Sequence, residues 1–290
     1  MRQFYAFLCI AGLAAISGGS SCNVINPSEV VPTYVHIDSF TFKGDPARTG
    51  SASHKITSVF AYFKNAPVGI FDLPVTFPVI ATEPGDLLVI PAVDFDGLTG
   101  YQATYPHYIG HEMTLTPSPG NTVNYAPATE YSTGSVLRSK EDFELGVGVD
   151  NAFVRLAGDA DLVTTSTPAE VFEGSGSGVI HLGPGKDSAA VISRSGIAIS
   201  ANKSSFIELN YKGTMPLVVA LQAMYADGSV FEANIIGLKA RSEWGKIYIG
   251  TDEFVGANQG VDYKMVIRTL KPAGQSDGYL YLDNIKVLSF

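Results

Sequence analysis

An alternation of period two governs what this chain can fold into. In its second half Ile207, Leu209 and Tyr211 alternate with Phe206, Glu208 and Asn210, and Leu217, Val219, Leu221, Ala223 and Tyr225 repeat the spacing. Successive side chains of a strand point to opposite faces, so each run presents one apolar and one polar side. A helix would need apolar residues three and four apart, and no long segment shows that period. From Tyr34 onward, short alternating or β-branched runs are broken by Gly, Pro, Asn and Asp every eight to twelve residues, the spacing of sandwiches and barrels. The chain is therefore expected to be all-β.

Strands are expected over 34–42, 55–63, 69–73, 75–80, 87–93, 112–116 and 122–125, and the alternation of 263–270 and 279–288 carries the pattern to the last residues. Seven short strands in the first half suit an immunoglobulin-like or transthyretin-like sandwich. Lys64-Asn65-Ala66-Pro67 marks a hairpin turn, and Pro67, which has no N–H for a ladder, confines its strand to a sheet edge. A polar stretch, 131–140, reads as a linker between domains 34–130 and 141–290.

The opening residues carry a different signal. Met1, Arg2 and Gln3 give a positive start, Phe4 to Ile16 run apolar, and Ser17 to Ser21 are small, the layout of a secretory signal over 1–21. Crossing a bilayer takes about 20 apolar residues, and this run has 13. Cys22 follows, and Cys9 is the only other cysteine. Cleavage before Cys22 would remove Cys9 and leave a single thiol at the mature N-terminus, with no partner for an intrachain disulfide. A lone Cys after a small-residue run resembles a bacterial lipoprotein acceptor, although Gly19 stands where such acceptors usually carry Leu. That resemblance implies a diacylglycerol on Cys22 and attachment to the membrane through the N-terminal lipid. Ordinary cleavage near Ser21 is the alternative, and it would leave a free thiol in an oxidising compartment. Residues 22–33, with Pro27 and Pro32, read as a tether. The net charge of −9 becomes −10 once Arg2 is removed, which excludes nucleic-acid backbones and electrostatic adhesion to anionic lipid.

Two family resemblances follow from particular residues. The runs from His54 to Phe63 and from Val68 to Pro74, then Ile90-Pro91-Ala92 and Tyr105-Pro106-His107-Tyr108, resemble the N-terminal module of Bacteroidota-type surface lipoproteins, itself similar to carboxypeptidase-regulatory-like domains. Such modules serve mostly as spacers or docking units. Asp142-Phe143-Glu144, Val171-Phe172-Glu173-Gly174, the run from Trp244 to Ile249 and the terminal run from Tyr281 to Val287 resemble jelly-roll modules of carbohydrate-binding and accessory proteins. In those modules a structural Ca²⁺ often ties the first strand to the last, which makes Glu144, Glu173 and Asp283 candidate ligands, with solvated strand ends as the alternative. No cofactor is required on this reading.

Catalytic motifs fail on inspection. Gly183-Pro184-Gly185-Lys186-Asp187 lacks the Ser or Thr that a phosphate loop places after its Lys, and Ile180 stands where that loop needs Gly. The run from Gly174 to Gly178 has Gly176 at its centre, where a nucleophile elbow needs Ser. His107 and His111, with Glu112, have a spacing that would bind zinc on a helix, but Pro106 and Gly110 break one, so surface polar residues are the simpler reading. Asp94-Phe95-Asp96-Gly97 reads as a turn. Trp244 and the tyrosines at 211, 225, 248, 263, 279 and 281 fall on alternating strand positions and are expected in the core, which leaves no legible ligand-binding residues.

These readings combine into a non-catalytic lipoprotein of the outer membrane, exposed at the cell surface. It would serve as an accessory or scaffold subunit of an outer-membrane complex, with a β-barrel and other lipoproteins as partners. The alternative is a glycan-binding lipoprotein that captures polysaccharide.

Overall fold

The computed structural model describes residues 29–45, 48, 50–97 and 100–290. The signal segment 1–21, the acceptor Cys22 and the tether as far as residue 28 lie outside the described residues. The first half supplies β1 (Thr33–Ile37), β2 (Thr41–Phe42), β3 (Ser58–Phe63), β4 (Ala66–Asp72), β5 (Val75–Val79), β6 (Gly85–Asp94), β7 (Gln102–Thr104), β8 (His111–Leu115), β9 (Thr122–Asn124) and β10 (Ala128–Thr129). The second supplies β11 (Val136–Glu141), β12 (Phe153–Gly158), β13 (Val163–Thr165), β14 (Ser177–Leu182), β15 (Ser188–Ser193), β16 (Ser205–Gly213), β17 (Leu217–Met224), β18 (Val230–Leu238), β19 (Arg241–Gly250), β20 (Asp262–Leu270) and β21 (Gly278–Ser289). A short helix, α1 (Asp252–Asn258), links β19 to β20.

In the first half, β4-β3-β6-β7 form one sheet with β8 also on β6, and β5-β1-β9 form another. Alternate residues meet between them: Val35 and Ile37, Val59 and Ala61, Phe77 and Val79, Leu87 and Val89 are all buried in one core. The β3–β4 turn closes on Lys64 and Asn65, both at positive φ (49° and 64°), the two-residue geometry whose twist matches a hairpin. Pro67 lies in β4, the edge strand, as its missing N–H requires.

The second half is a β-sandwich of a six-stranded sheet, β13-β14-β21-β16-β19 with β11 also on β21, and a five-stranded sheet, β12-β15-β20-β17-β18. The alternating sets point as expected. Ile207 and Leu209 of β16, the inward set of β17, Ile247 and Ile249 of β19, and Leu280, Leu282 and Val287 of β21 fill a single core. Each such side chain stabilises the fold by about 1.5–3 kcal/mol relative to exposure. The stretch expected as a linker contains β11, which pairs antiparallel with β21 from Val136↔Ser289 to Glu141↔Ile285. Its polar sequence, VLRSKE, gives no clean alternation, and its ladder shifts register between Leu137 and Ser139.

From Phe206 to Asn210 the outward side of β16 does not meet water. Val93, Tyr105 and Tyr108 from the first half and Tyr131 from the stretch that joins the halves pack on Phe206, Tyr248 and Leu288 from the second. Glu208 is buried there and accepts hydrogen bonds from Tyr105 Oη at 2.7 Å and Tyr131 Oη at 2.9 Å. Lys246 Nζ stands 2.6 Å and Lys286 Nζ 3.7 Å from its Oε2. Burial pushes the Glu208 carboxyl upward, and the two ammonium groups with the Tyr105 hydrogen bond more than reverse this, holding it at about 2. The turn at 94–97 docks on the same face: Asp96 and Gly97 have positive φ, Asp96 N donates to Tyr248 O at 3.0 Å, and Phe95 stacks on Phe206 at 5.4 Å.

Candidate binding face

The first half covers one end of the outer face of the six-stranded sheet and leaves the other end open. Outward positions there follow from strand alternation: His181 on β14, Tyr279 and Tyr281 on β21, Lys212 on β16 and Trp244 on β19. Register brings them together, because His181 pairs with Tyr279 and Lys212 with Tyr281. The rings form a continuous strip. His181 stacks on Tyr279 at 4.4 Å, Tyr279 lies parallel to Tyr281 at 6.0 Å, Trp244 follows at 6.5 Å and Phe172 adjoins Trp244 at 5.3 Å.

Polar groups hold the strip in place. Lys212 Nζ lies 5.1 Å from the Trp244 ring centre and 5.2 Å from that of Tyr281, a cation over two π faces, and it donates to Ala169 O at 2.6 Å. Tyr281 Oη donates to Glu170 Oε1 at 3.1 Å, while Thr165 Oγ1 donates to Glu170 Oε2 at 2.6 Å. Partial burial and then the Glu170 carboxylate push the Tyr281 phenol up to about 12, so it stays a neutral donor. His181 Nε2 lies 3.0 Å from Asp277 Oδ1. Beside the strip runs a groove of about 470 Å³ lined by Lys212, Gly213, Thr214, Ser242, Tyr279 and Tyr281 among others. Gly213 is required where the groove meets β21: a Cβ there would stand 2.2 Å from Tyr279 O. Half-buried Tyr279, Tyr281 and Trp244 thus combine fixed rings with an adjacent trough, and the Trp244 Nε1 edge is turned inward.

The outer face of the five-stranded sheet is different in kind. Val154, Ile192, Ala220 and Val266 floor it, and its charged groups satisfy one another: Arg268 pairs with Glu232, which also accepts from Gln222 Nε2 at 2.8 Å.

Two of the three carboxylates considered as calcium ligands, Glu144 and Asp283, have hydrogen-bond donors within the protein. Glu144 accepts from Ser175 N at 3.0 Å and Ser175 Oγ at 2.7 Å. Asp283 is buried and accepts from Ser177 Oγ at 2.5 Å and Asn284 N at 2.7 Å. Glu173, exposed, lies near enough for its backbone and charge to act on Asp283. Burial is the main cause that raises the Asp283 carboxyl to about 7. Among the described residues no three His, Cys, Asp or Glu side chains group as metal ligands do. His107 is buried, with Nδ1 2.9 Å from Ser135 Oγ and its ring stacked on Phe290 at 4.5 Å, whereas His111 Nδ1 meets Tyr125 Oη at 2.5 Å. The two histidines serve separate contacts.

Sequence reasoning placed the aromatic residues in the core, and the structure divides them. Tyr211 and Tyr263 are core, Tyr248 is buried between the halves, and Trp244, Tyr279 and Tyr281 are half-buried on the open face. The i, i+2 spacing of Tyr279 and Tyr281 was the available signal that they share a face. His181 and Lys212 lie far from them in sequence, and only strand register joins them.

No family model matches the chain, and no curated protein matches it. Solved structures that resemble it include the CBM22-1 xylan-binding domain of Xyn10C from Paenibacillus barcinonensis, at 11% identity over 54% of this chain and 96% of that one, TM-score 0.38. A carbohydrate-binding module of the β-sandwich superfamily is 15% identical over 80% of this chain and 84% of its own, TM-score 0.39. TmCBM61, solved with β-1,4-galactotriose, is 14% identical over 50% and 92%, TM-score 0.33. At these identities and TM-scores the likenesses carry no assignment of a ligand, which rests on the site itself.

Proposed function

We propose that this chain is a non-catalytic, lipid-anchored surface protein that binds glycan through the open aromatic strip of its second half. The observation that carries the reading is the row of Trp244, Tyr281, Tyr279 and His181, fixed by Lys212 and Glu170 on the one part of the six-stranded sheet that the first half leaves uncovered. Sugar rings present C–H faces that pack on aromatic surfaces, and their hydroxyls need nearby polar partners; the strip and its groove supply both. On this reading the second half is a jelly roll and the first an immunoglobulin-like or transthyretin-like spacer, with Cys22 the acylated residue that holds both at the outer membrane.

The non-catalytic part of the reading has its own support. Glu208, Lys286, His107 and Asp283, and the tyrosines at 105, 108, 131 and 248, have strongly shifted proton affinities, and all are buried rather than turned toward an open groove.

Titration of the full mature chain with a panel of plant and microbial polysaccharides, followed by Trp244 fluorescence and heat, tests the proposal. Saturable binding that Tyr281→Ala and Trp244→Ala abolish while both variants stay folded is the expected result. Silence across the panel would overturn it and return the scaffold role in an outer-membrane complex to first place.

A further inference from the structure

The described chain begins at Glu29, and its first residues present an apolar surface. Val30 and Val31 are 51% and 53% exposed, and Ile80 is 69% exposed. Thr33 pairs with Val79 in the β1–β5 ladder, so the residues before Thr33 run beside Ile80. Between them and the β3–β4 hairpin lies a groove of about 470 Å³, lined by Pro32, Phe63, Pro67, Val68, Pro78 and Ile80 among others. Lys64, next to Phe63, adds no net charge because it pairs with Glu83 at 2.5 Å. Apart from Glu29 at its edge the patch is apolar, and an apolar patch of this kind marks a contact surface.

The position of the patch along the chain says what it meets. Glu29 follows Cys22 by seven residues. Seven extended residues span at most about 25 Å, so an acyl group on Cys22 would keep the patch within that distance of a bilayer. Electrostatic attraction is absent, since the chain is acidic, and the diacylglycerol read on Cys22 already supplies two chains of anchorage, so apolar contact at the patch would set orientation rather than attachment.

We propose that Val30, Val31, Ile80 and the proline-lined groove rest on the lipid surface to which the chain is anchored, and so fix the tilt of the first sandwich on the membrane. This inference rests on the reading of Cys22 as acylated. The full mature chain with Trp244→Phe and Ile80→Trp carries one indole, at the patch; Trp244→Phe with Val230→Trp places it instead on exposed β18. On phosphatidylcholine vesicles containing brominated lipid, emission from position 80 is expected to be quenched and that from position 230 to be unchanged. Equal, weak quenching at both positions would overturn the inference. So would emission from position 80 that is already blue-shifted without vesicles: a shift that grows with protein concentration means a second copy covers the patch, and one that does not means residues 22–28 cover it. If intact mass shows Cys22 unacylated, the same measurement is made after coupling that thiol to a maleimide phospholipid. The anchor reading and the patch are thereby judged separately.

Discussion

Lys246 Nζ lies 2.6 Å from Glu208 Oε2, and neither side chain has more than a trace of its surface in water. The enclosed Glu208 carboxylate owes its ionisation to Lys246, to Lys286 and to the Tyr105 hydrogen bond, and Tyr131 also donates to it. Removing one partner strands the other. Lys246→Met is expected to cost about 3–5 kcal/mol in urea unfolding, and replacing Glu208 and Lys246 together by apolar residues to cost less than the single change.

The pH dependence of stability follows from three buried groups. Glu208 is held at about 2, below its unfolded value of 4.5, so its contribution is present above pH 4.5 and is lost as pH falls toward 2. Asp283 is raised to about 7 from 3.8, so its contribution is complete below pH 4 and is lost as pH rises through 7. His107, lowered by burial from 6.5 to about 4, works against Asp283 over the same interval, favouring the fold as pH rises from 4 to 6.5. The wild-type profile should therefore be nearly flat from pH 4 to 6.5 and fall below it. Asp283→Asn is expected to turn the flat part into a rise, read by thermal melting in matched buffers.

A metal makes a separate prediction at Asp283. Because Ser177, Ser175 and Asn284 already serve Asp283 and Glu144, melting temperature is expected to be the same in chelator and in millimolar CaCl₂. A rise with calcium that Asp283→Asn removes would establish the ion among Glu144, Glu173 and Asp283.

Trp244 provides a test of placement. A fully buried Trp→Ala costs about 3–5 kcal/mol, and a half-buried one on an outer face should cost less, about 2 kcal/mol. Chemical denaturation of Trp244→Ala distinguishes the two, and the smaller value leaves a folded variant for the binding measurement.

The two halves each hold their own core, and each is expected to fold alone if the cut respects β11. A fragment 131–290 keeps the β11–β21 ladder and the Tyr131 hydrogen bond to Glu208, whereas 141–290 loses both. The longer fragment should melt cooperatively and bind fragment 29–130, and the shorter should melt lower or aggregate. Calorimetry and analytical ultracentrifugation of the fragments, singly and mixed, provide the readout.

What the sequence determined by itself was local. Alternation at Ile207, Leu209 and Tyr211 named the inward face of β16, the inward set from Leu217 to Ala223 named that of β17, and Lys64-Asn65 named a hairpin, because side-chain direction and turn geometry depend on neighbours a few residues away. It also wrote Phe206, Glu208 and Asn210 as a polar outer face. Tertiary structure decided which part of that face water reaches: Tyr105, Tyr108 and Tyr131 arrive from more than seventy residues away and enclose Glu208, turning a solvent pattern into a buried ion cluster. The same docking stops short of Trp244 and Tyr281, so rings that read as core stand at the surface. Strand register, set by hydrogen bonds between distant segments, then placed His181 beside Tyr279 and Lys212 beside Tyr281. No spacing within the chain encodes those pairs, since period two fixes the face of a side chain and leaves its cross-strand neighbour to the fold.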